Sequence, residues 1–229
     1  MADHDDAALE KLLSVLFKAH PWHGISAGPD APNKVVAFIE IIPTDTVKYE
    51  LDKHSGELKL DRPQRYSSLC PSLYGFIPQT FCGERVGARC AERTGIAGID
   101  GDGDPMDICV LSERDFTRGS FILRAHPIGG LRMVDEHQAD DKIVAILEGD
   151  LAYGAMRELS DVPRPLIERL RHYFLTYKQI PGEAPRNVSI EEVYGREEAY
   201  EVIRLSQADY HTHFGEPAAR FPRLRTLLK

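Results

Sequence analysis

Short apolar segments rich in β-forming residues occupy the middle of the chain. The run Val35 to Ile42 is mostly β-branched and aromatic, and it stops at Pro43. Similar short runs predict further strands at residues 47–51, 58–60, 108–111, 121–127, 131–134, 143–147 and 188–193. The pattern predicts a domain whose core is built mainly from strands.

Helical periodicity is found toward the two ends. Leu9, Leu12, Leu13 and Leu16 recur at i, i+3, i+4 and i+7, which predicts an N-terminal helix over residues 4–19. Apolar residues at similar spacing predict two later helices, over 165–178 and 196–213. Many short strands followed by two helices are typical of an α+β domain, here a small barrel with helices packed on it.

Two stretches lack a clear period. Residues 63–82 are rich in Pro, Ser and Tyr, and residues 83–98 are polar enough to be interpreted as a surface insertion. We therefore divide the chain into an N-terminal helical extension, one domain carrying that insertion, and a C-terminal tail, over residues 1–33, 34–214 and 215–229.

Composition narrows the class of protein. The chain has 229 residues, 42% of them hydrophobic, and a net charge of -8, which argues against a non-specific nucleic-acid binder. Its apolar runs fall short of the roughly 20 residues that span a bilayer, and its first residues lack a secretory pattern. We expect a cytoplasmic protein without a membrane partner. The four cysteines lack Cys-x-x-Cys spacing and are expected to be reduced thiols.

The residues from Asp100 to Asp107 hold four aspartates in eight positions. Such crowded negative charge is kept mainly where cations neutralise it, and carboxylate oxygens favour Mg²⁺, Mn²⁺ or Ca²⁺. The alternative is a solvated acidic turn before a strand. A second acidic cluster spans residues 135–141, and several cationic or phenolic side chains are available nearby: Lys48, Arg62, Tyr74, Lys142, Tyr177 and Lys178. Together they suggest a metal site that also binds a polyanion such as phosphate.

Two familiar phosphate or calcium motifs do not fit. Taken from Asp100 as an EF-hand loop, position six would be Pro105 instead of Gly and position twelve Leu111 instead of Glu. A Walker phosphate loop, Gly-x4-Gly-Lys-Ser/Thr, is also absent from the sequence.

The run Asp102-Gly103-Asp104-Pro105-Met106-Asp107 resembles the Asp-Gly-Asp-Pro-x-Asp motif of family I soluble inorganic pyrophosphatases. Further matches follow the family's order: Ile39-Glu40-Ile41, Lys48-Tyr49-Glu50, Asp61-Arg62, Tyr74 to Pro78, Asp135-Glu136, Asp140-Asp141-Lys142 and Tyr177-Lys178. The resemblance implies an OB-like five-stranded β-barrel with flanking α-helices. It also implies Mg²⁺-dependent hydrolysis of pyrophosphate to two phosphates, with several Mg²⁺ ions in each site and Mn²⁺ as a substitute.

The resemblance also implies a role for each matched residue. Asp104 would be the general base for a metal-bridging water, with Tyr74 and Lys142 supporting the electrophilic phosphate. Phosphate oxygens would be bound by Lys48, Arg62, Tyr177 and Lys178. Metal, directly or through water, would be held by Asp102, Asp107, Asp135, Asp140 and Glu40, with Glu50 a further acidic member of the site. Asp100 lies outside the motif and is interpreted as a turn residue.

One departure and two rival functions remain. Many family members carry a second tyrosine where this chain has Cys70, whose thiol could make activity sensitive to thiol reagents.

A Mg²⁺-dependent phosphatase acting on nucleotides or polyphosphate would need the same residue types. A nucleic-acid-binding OB module would instead need exposed aromatics on a basic groove. The resemblance further favours a homo-oligomer.

Overall fold

The computed structural model describes residues 18–215, which form ten strands and three α-helices. The strands are β1 (Val35–Ile41), β2 (Val47–Leu51), β3 (Leu58–Pro63), β4 (Leu73–Phe76), β5 (Asp100–Gly101), β6 (Asp107–Leu111), β7 (Phe121–Asp135), β8 (Gln138–Ala139), β9 (Lys142–Leu147) and β10 (Val188–Gly195). The helices are α1 (Glu84–Thr94), α2 (Arg164–Thr176) and α3 (Arg196–Phe214). The helix predicted over residues 4–19 lies almost wholly outside the described residues.

Five strands close into a ring by backbone hydrogen bonds. The ring runs β1, β4, β6, β9 and β7, and β7 pairs with β1 to close it. Only β6 and β9 are parallel neighbours within this ring. β10 pairs with β7 outside the ring, and β2 and β3 form a separate hairpin. The ring and its packed helices confirm the OB-like α+β class predicted from the sequence.

β7 is one strand where the sequence indicated two. Its 15 residues include Pro127 and Gly129, between which the pairing with β9 shifts register. A bulge of this kind bends a strand while leaving the hydrogen bonding on either side intact. The Gly129-Gly130 pair therefore lies inside a bent strand that contacts β1, β9 and β10.

The stretch 63–82, which shows little periodicity, contains ring strand β4. On this strand Gly75 pairs with Ile39 of β1, and a Cβ at Gly75 would overlap the carbonyl oxygen of Phe38. Glycine allows the two backbones to approach more closely than any side chain would permit. Because β4 has only four residues and one of them is glycine, the alternation of apolar and polar residues is too short to predict this strand.

Most of residues 83–98, the predicted surface insertion, form α1, and one face of this helix is buried. Val86 and Cys90 of α1 are buried in the same cluster as residues of α3. The Asp209 carboxylate of α3 accepts hydrogen bonds of 3.0–3.1 Å from backbone amides at the start of α1, those of Gly83, Arg85 and Val86. Such amides lack partners within their own helix, so Asp209 caps α1 from a neighbouring element.

The two predicted C-terminal helices are confirmed within two residues at each end. α2 buries Ile167, Leu170 and Phe174 against the outer side of β6, β7 and β9, while α3 buries Val202 and Ile203. Of the helices in residues 18–215, none combines the length and apolar character needed to cross a bilayer.

Candidate active site

The acidic turn joins β5 to β6 and is shaped by its own backbone. Gly103 adopts a φ of 75°, the left-handed region that favours glycine, and the amide of Asp104 donates to Asp102 Oδ1 at 2.9 Å. These two features let the chain turn tightly between Asp102 and Asp107, so that three carboxylates of the motif face one region.

The segment before α1 braces this turn. The amide of Cys82 donates to the carbonyl of Asp104 at 2.8 Å, and the amide of Gly103 donates to the carbonyl of Cys82 at 3.0 Å. Thr80 Oγ1 accepts a further hydrogen bond of 2.9 Å from the amide of Met106. Residues just before the predicted insertion thus hold the acidic turn in place.

The predicted site residues converge on one cavity of about 200 Å³. These residues are far apart in the sequence and are brought together where strands of the ring, the β2–β3 hairpin and the end of α2 meet. The lining includes Glu40, Lys48, Glu50, Tyr74, Asp102, Asp104, Asp107, Asp135, Asp140, Lys142, Tyr177 and Lys178. Arg62 does not line the cavity. It pairs with Asp61, and its guanidinium lies 5.8 Å from the ring centroid of Tyr177.

Lysine ammonium groups lie directly between the carboxylates. Lys142, almost completely buried, contacts Asp140 and lies 2.5 Å from Asp107 Oδ2. Lys178 contacts Asp135 Oδ2 at 2.5 Å. The Tyr74 hydroxyl donates to Asp107 Oδ2, also at 2.5 Å. Without these donors, several negative charges would be buried side by side, which is strongly unfavourable.

Burial dominates the protonation of these groups. Burial, together with the negative charge of Asp140, raises the pKa of Asp102 to about 8. Burial likewise raises the pKa of Asp107. Although burial opposes it, the Lys142 ammonium holds the pKa of Asp140 below its usual value. The cavity lining carries seven acidic side chains and four lysines, so acidic groups outnumber the cationic groups that could neutralise them.

Glu40 is buried in the cavity wall. Its Oε1 accepts a hydrogen bond of 2.6 Å from the amide of Leu51, and burial raises its pKa to about 8. Its side chain, on β1, lines the cavity as the family resemblance implied.

The donor set suits a hard cation. In residues 18–215, no three carboxylate, imidazole or thiol groups stand close enough together to hold a metal ion, because the lysine ammoniums already lie between the carboxylates. Two observations nevertheless favour a cation here. The pKa of Asp102 is raised to about 8 by burial, and the buried Asp135 Oδ1 has no hydrogen-bond partner. Carboxylate oxygens are ligands that Mg²⁺ and Mn²⁺ prefer.

Sequence reasoning missed Lys53 and Trp22, which also line the cavity. The Lys53 ammonium pairs with Asp104 and lies 5.9 Å from the ring centroid of Trp22. Lys53 follows β2 in a polar turn, where a lysine is unremarkable, and Trp22 lies in a segment interpreted as an extension. Only the packing of residues far apart in the chain brings both to Asp104.

Cys70 lies in the core and is not exposed to the cavity. Its side chain is 1% exposed, and burial raises the pKa of its thiol to about 11. The four cysteines of the chain are all buried, unpaired thiols, as predicted. Because a buried, protonated thiol reacts slowly, the structure does not support the expectation that Cys70 makes activity sensitive to thiol reagents.

An OB-like ring that presents carboxylates and lysines in one small cavity is typical of metal-dependent enzymes that act on phosphate compounds. The family model described as "Inorganic pyrophosphatase" matches residues 37–211. An inorganic pyrophosphatase from Chlamydia muridarum is 48% identical over 195 residues, which cover 83% of this chain and 93% of that protein. A soluble inorganic pyrophosphatase from Oryza sativa subsp. japonica is 34% identical, covering 90% of this chain and 88% of that protein.

Solved structures agree with the sequence comparison. The inorganic pyrophosphatase from Thermus thermophilus superposes with a TM-score of 0.69 at 28% identity, covering 83% of this chain and 98% of that one. The chain therefore belongs to the inorganic pyrophosphatase family, whose members are metal-dependent diphosphatases. The resemblance inferred from the sequence motifs is confirmed.

Proposed function

We propose that this cavity hydrolyses pyrophosphate to two phosphates, by in-line attack of a metal-activated water with Asp104 as the general base. The observation that carries the proposal is the meeting of carboxylates and lysine ammoniums around Asp104 in a cavity of about 200 Å³. Sites for drug-sized ligands occupy roughly 300–1,000 Å³. The small cavity therefore favours pyrophosphate over a nucleotide, most of which would extend outside.

Mg²⁺ is the proposed metal, with Mn²⁺ as a substitute. Its ligands would come from Asp102, Asp107 and Asp140, with Asp135, Glu40 and Glu50 serving ions that arrive with the substrate. When bound, such ions lower the pKa of water and neutralise phosphate charge. The raised pKa of Asp102 supports this assignment, since burial destabilises its charged form and a bound cation would stabilise it.

Asp104 suits the role of base because it is more accessible than Asp107 of the same motif. Its side chain is 41% exposed, whereas that of Asp107 is 21% exposed. It lies between two proposed metal ligands in the same turn, where an attacking water would be placed. Its carboxylate would accept the proton of that water while the neighbouring Asp102 and Asp107 remain committed to metal.

The cationic side chains would bind the substrate and stabilise the charge that develops during cleavage. Lys48 and Lys178 line the cavity together with the Tyr177 ring, and Arg62 lies over that ring at its edge. Lys142 and Tyr74 both contact Asp107 Oδ2, so they would orient this carboxylate and support the electrophilic phosphate. Fixed positive charge of this kind stabilises a phosphoryl transition state.

Phosphate release from pyrophosphate, ATP and a sugar phosphate, measured with Mg²⁺ and with EDTA, tests the proposal. We expect Mg²⁺-dependent release from pyrophosphate and little from the other two. Comparable rates on ATP would favour a broader phosphatase, and no release from pyrophosphate would refute the proposed function.

Asp104→Asn tests the base. Loss of a general base typically costs about 10²–10⁴-fold in turnover, while the amide preserves the size of the side chain. Asp100→Asn is a matched control, because Asp100 is exposed and lies just before the motif in the same acidic stretch. Wild-type turnover in Asp104→Asn would place the base elsewhere.

We also propose that the chain acts in the cytoplasm as a homo-oligomer. Support for the assembly comes from the family resemblance and from exposed apolar side chains on the β2–β3 hairpin, the ring and its loops, namely Leu60, Ile122 and Leu151. Native mass spectrometry gives the number of copies directly, and a monomer would contradict this proposal.

A further inference from the structure

Arg132 of β7 is completely buried and lies behind the cavity wall. Its Nη2 is 2.5 Å from Glu198 Oε1 and 3.9 Å from Asp141 Oδ2. Its guanidinium lies 4.9 Å from the ring centroid of Tyr194. A buried guanidinium is unfavourable unless it is paired, and Arg132 is accordingly surrounded by acidic partners.

Asp141 connects this group to the site. It stands in the chain between Asp140 and Lys142, which line the cavity, but its own side chain does not. Adjacent side chains of an extended segment point in opposite directions. Asp141 is 3% exposed, and its Oδ2 accepts a hydrogen bond of 2.9 Å from the Tyr194 hydroxyl. Its carboxylate thus anchors the peptide that carries two site residues.

Tyr194 is held in place by the bend in β7. A Cβ on Gly130 would overlap the Tyr194 ring, so the glycine provides the space that the ring occupies. The ring therefore packs between the backbone at Gly130 and the guanidinium of Arg132. With little room to move, its hydroxyl is a fixed donor for Asp141.

The same charges reach two helices. Glu198, in the first turn of α3, accepts from Arg89 Nε of α1 at 3.0 Å as well as from Arg132. Glu192 of β10 lies 3.5 Å from Arg132 Nε and pairs with Arg93 of α1 at 2.5 Å. The buried network thus joins α1, α3, β7 and β10 to the residue behind the cavity wall.

We propose that Asp141, fixed by Tyr194 and Arg132, is a positioning residue that sets the directions of Asp140 and Lys142. The proposal rests on the proposed function, in which those two residues contact metal and phosphate. Asp141 touches neither. It acts through the backbone of its two neighbours.

Tyr194→Phe is the mildest test, because it removes the hydroxyl and keeps the ring between Gly130 and Arg132. Loss of a group that orients a metal ligand typically costs about 10–100-fold in metal affinity or activity. We expect at least about a 10-fold loss of Mn²⁺ affinity, measured by electron paramagnetic resonance without substrate, and a similar fall in kcat with little change in KM. Wild-type values of both would overturn the proposal.

Asp141→Ala and Asp141→Asn form a second pair. The alanine variant should show the larger loss, while the asparagine variant keeps an acceptor for the Tyr194 hydroxyl and should recover part of it. Asp150→Ala is the matched control. Asp150 is also buried, follows the other end of β9, and accepts hydrogen bonds from the Ser112 hydroxyl and the Tyr153 amide.

The control separates positioning from stability. If Asp150→Ala and Asp141→Ala lower the melting temperature equally and change Mn²⁺ affinity equally, the role of Asp141 is only structural and the proposal fails. Asp140→Asn tests the proposed function separately from the positioning role of Asp141. Wild-type turnover in that variant would refute the role of Asp140 itself, whatever Tyr194→Phe does.

Discussion

Replacing Lys142 with methionine should destabilise the protein strongly. The side chain of Lys142 is 2% exposed, and its ammonium lies between the carboxylates of Asp107 and Asp140, which are 21% and 13% exposed. Methionine fills similar space without the charge. Two carboxylates would then remain largely buried without their main cationic partner.

The magnitude follows from the burial of the pair. Removing one partner of a buried ion pair costs about 3–5 kcal/mol. A chain of this size loses about 2–4 °C in Tm per kcal/mol, so we expect a fall of about 6–20 °C. The Tyr74 hydroxyl still donates to Asp107 in the variant, which favours the lower half of that range.

The pH dependence has a definite sign. In the wild type Lys142 holds the pKa of Asp140 below its usual value, so the stability that this pair contributes is lost as pH falls through that pKa. In the variant the pKa of Asp140 should rise, and protonation at lower pH relieves the repulsion with Asp107. The difference in Tm between the two proteins should therefore narrow as pH falls.

Calorimetric unfolding of both proteins, with and without Mg²⁺, measures this effect. Mg²⁺ should raise the Tm of the variant more than that of the wild type, because no ammonium competes for the carboxylates; saturation to 100 times Kd contributes about 2.7 kcal/mol. Lys59→Met is the control, since Lys59 is half exposed and lies 4.0 Å from Asp52, where a pair is worth about 1 kcal/mol or less. Equal Tm values for Lys142→Met and Lys59→Met would refute the reasoning.

Three further predictions follow from buried groups. The four cysteines should resist Ellman's reagent in the native protein and react after unfolding, because burial raises the pKa of thiols such as Cys70 to about 11; rapid native labelling would contradict their burial. Asp209→Ala should lower stability by about 2 kcal/mol, measured by denaturant unfolding, because the first amides of α1 lose their acceptor; an unchanged midpoint would show that water replaces it. Trp22, the only tryptophan, should change fluorescence when Mg²⁺ and phosphate bind, because Lys53 links its ring to Asp104, and Lys53→Met should weaken that change.

Local patterns accounted for much of the fold. The strand at residues 35–42 and the helices over 165–178 and 196–213 follow from periodicity, which depends on neighbours in sequence and survives in the folded chain. The acidic stretch could be recognised for a similar reason, since its aspartates are close together in the chain. Matching it to a family then indicated most of the other cavity residues, including Glu40, which periodicity alone would have left facing outward.

Other features depended on contacts between distant segments. β4 carries a glycine where it meets β1, and β7 bends at Gly129 without ending, so in both cases local signals resembled loops or turns. The sequence did not predict α1, because this helix is largely charged and only one narrow face of it is buried, so its average hydrophobicity is low. The segment just before α1 nevertheless braces the acidic turn through Cys82.

The sequence by itself determined the chemistry of this protein, because carboxylates, lysines and the motif Asp102 to Asp107 are properties of residue type and spacing. Only the tertiary structure decided how those charges are balanced. The Lys142 ammonium between Asp107 and Asp140, Lys53 beside Asp104, and Arg132 behind Asp141 all join residues from different strands or loops. Electrostatic energy depends on distance and burial, and neither can be obtained from a linear order of residues.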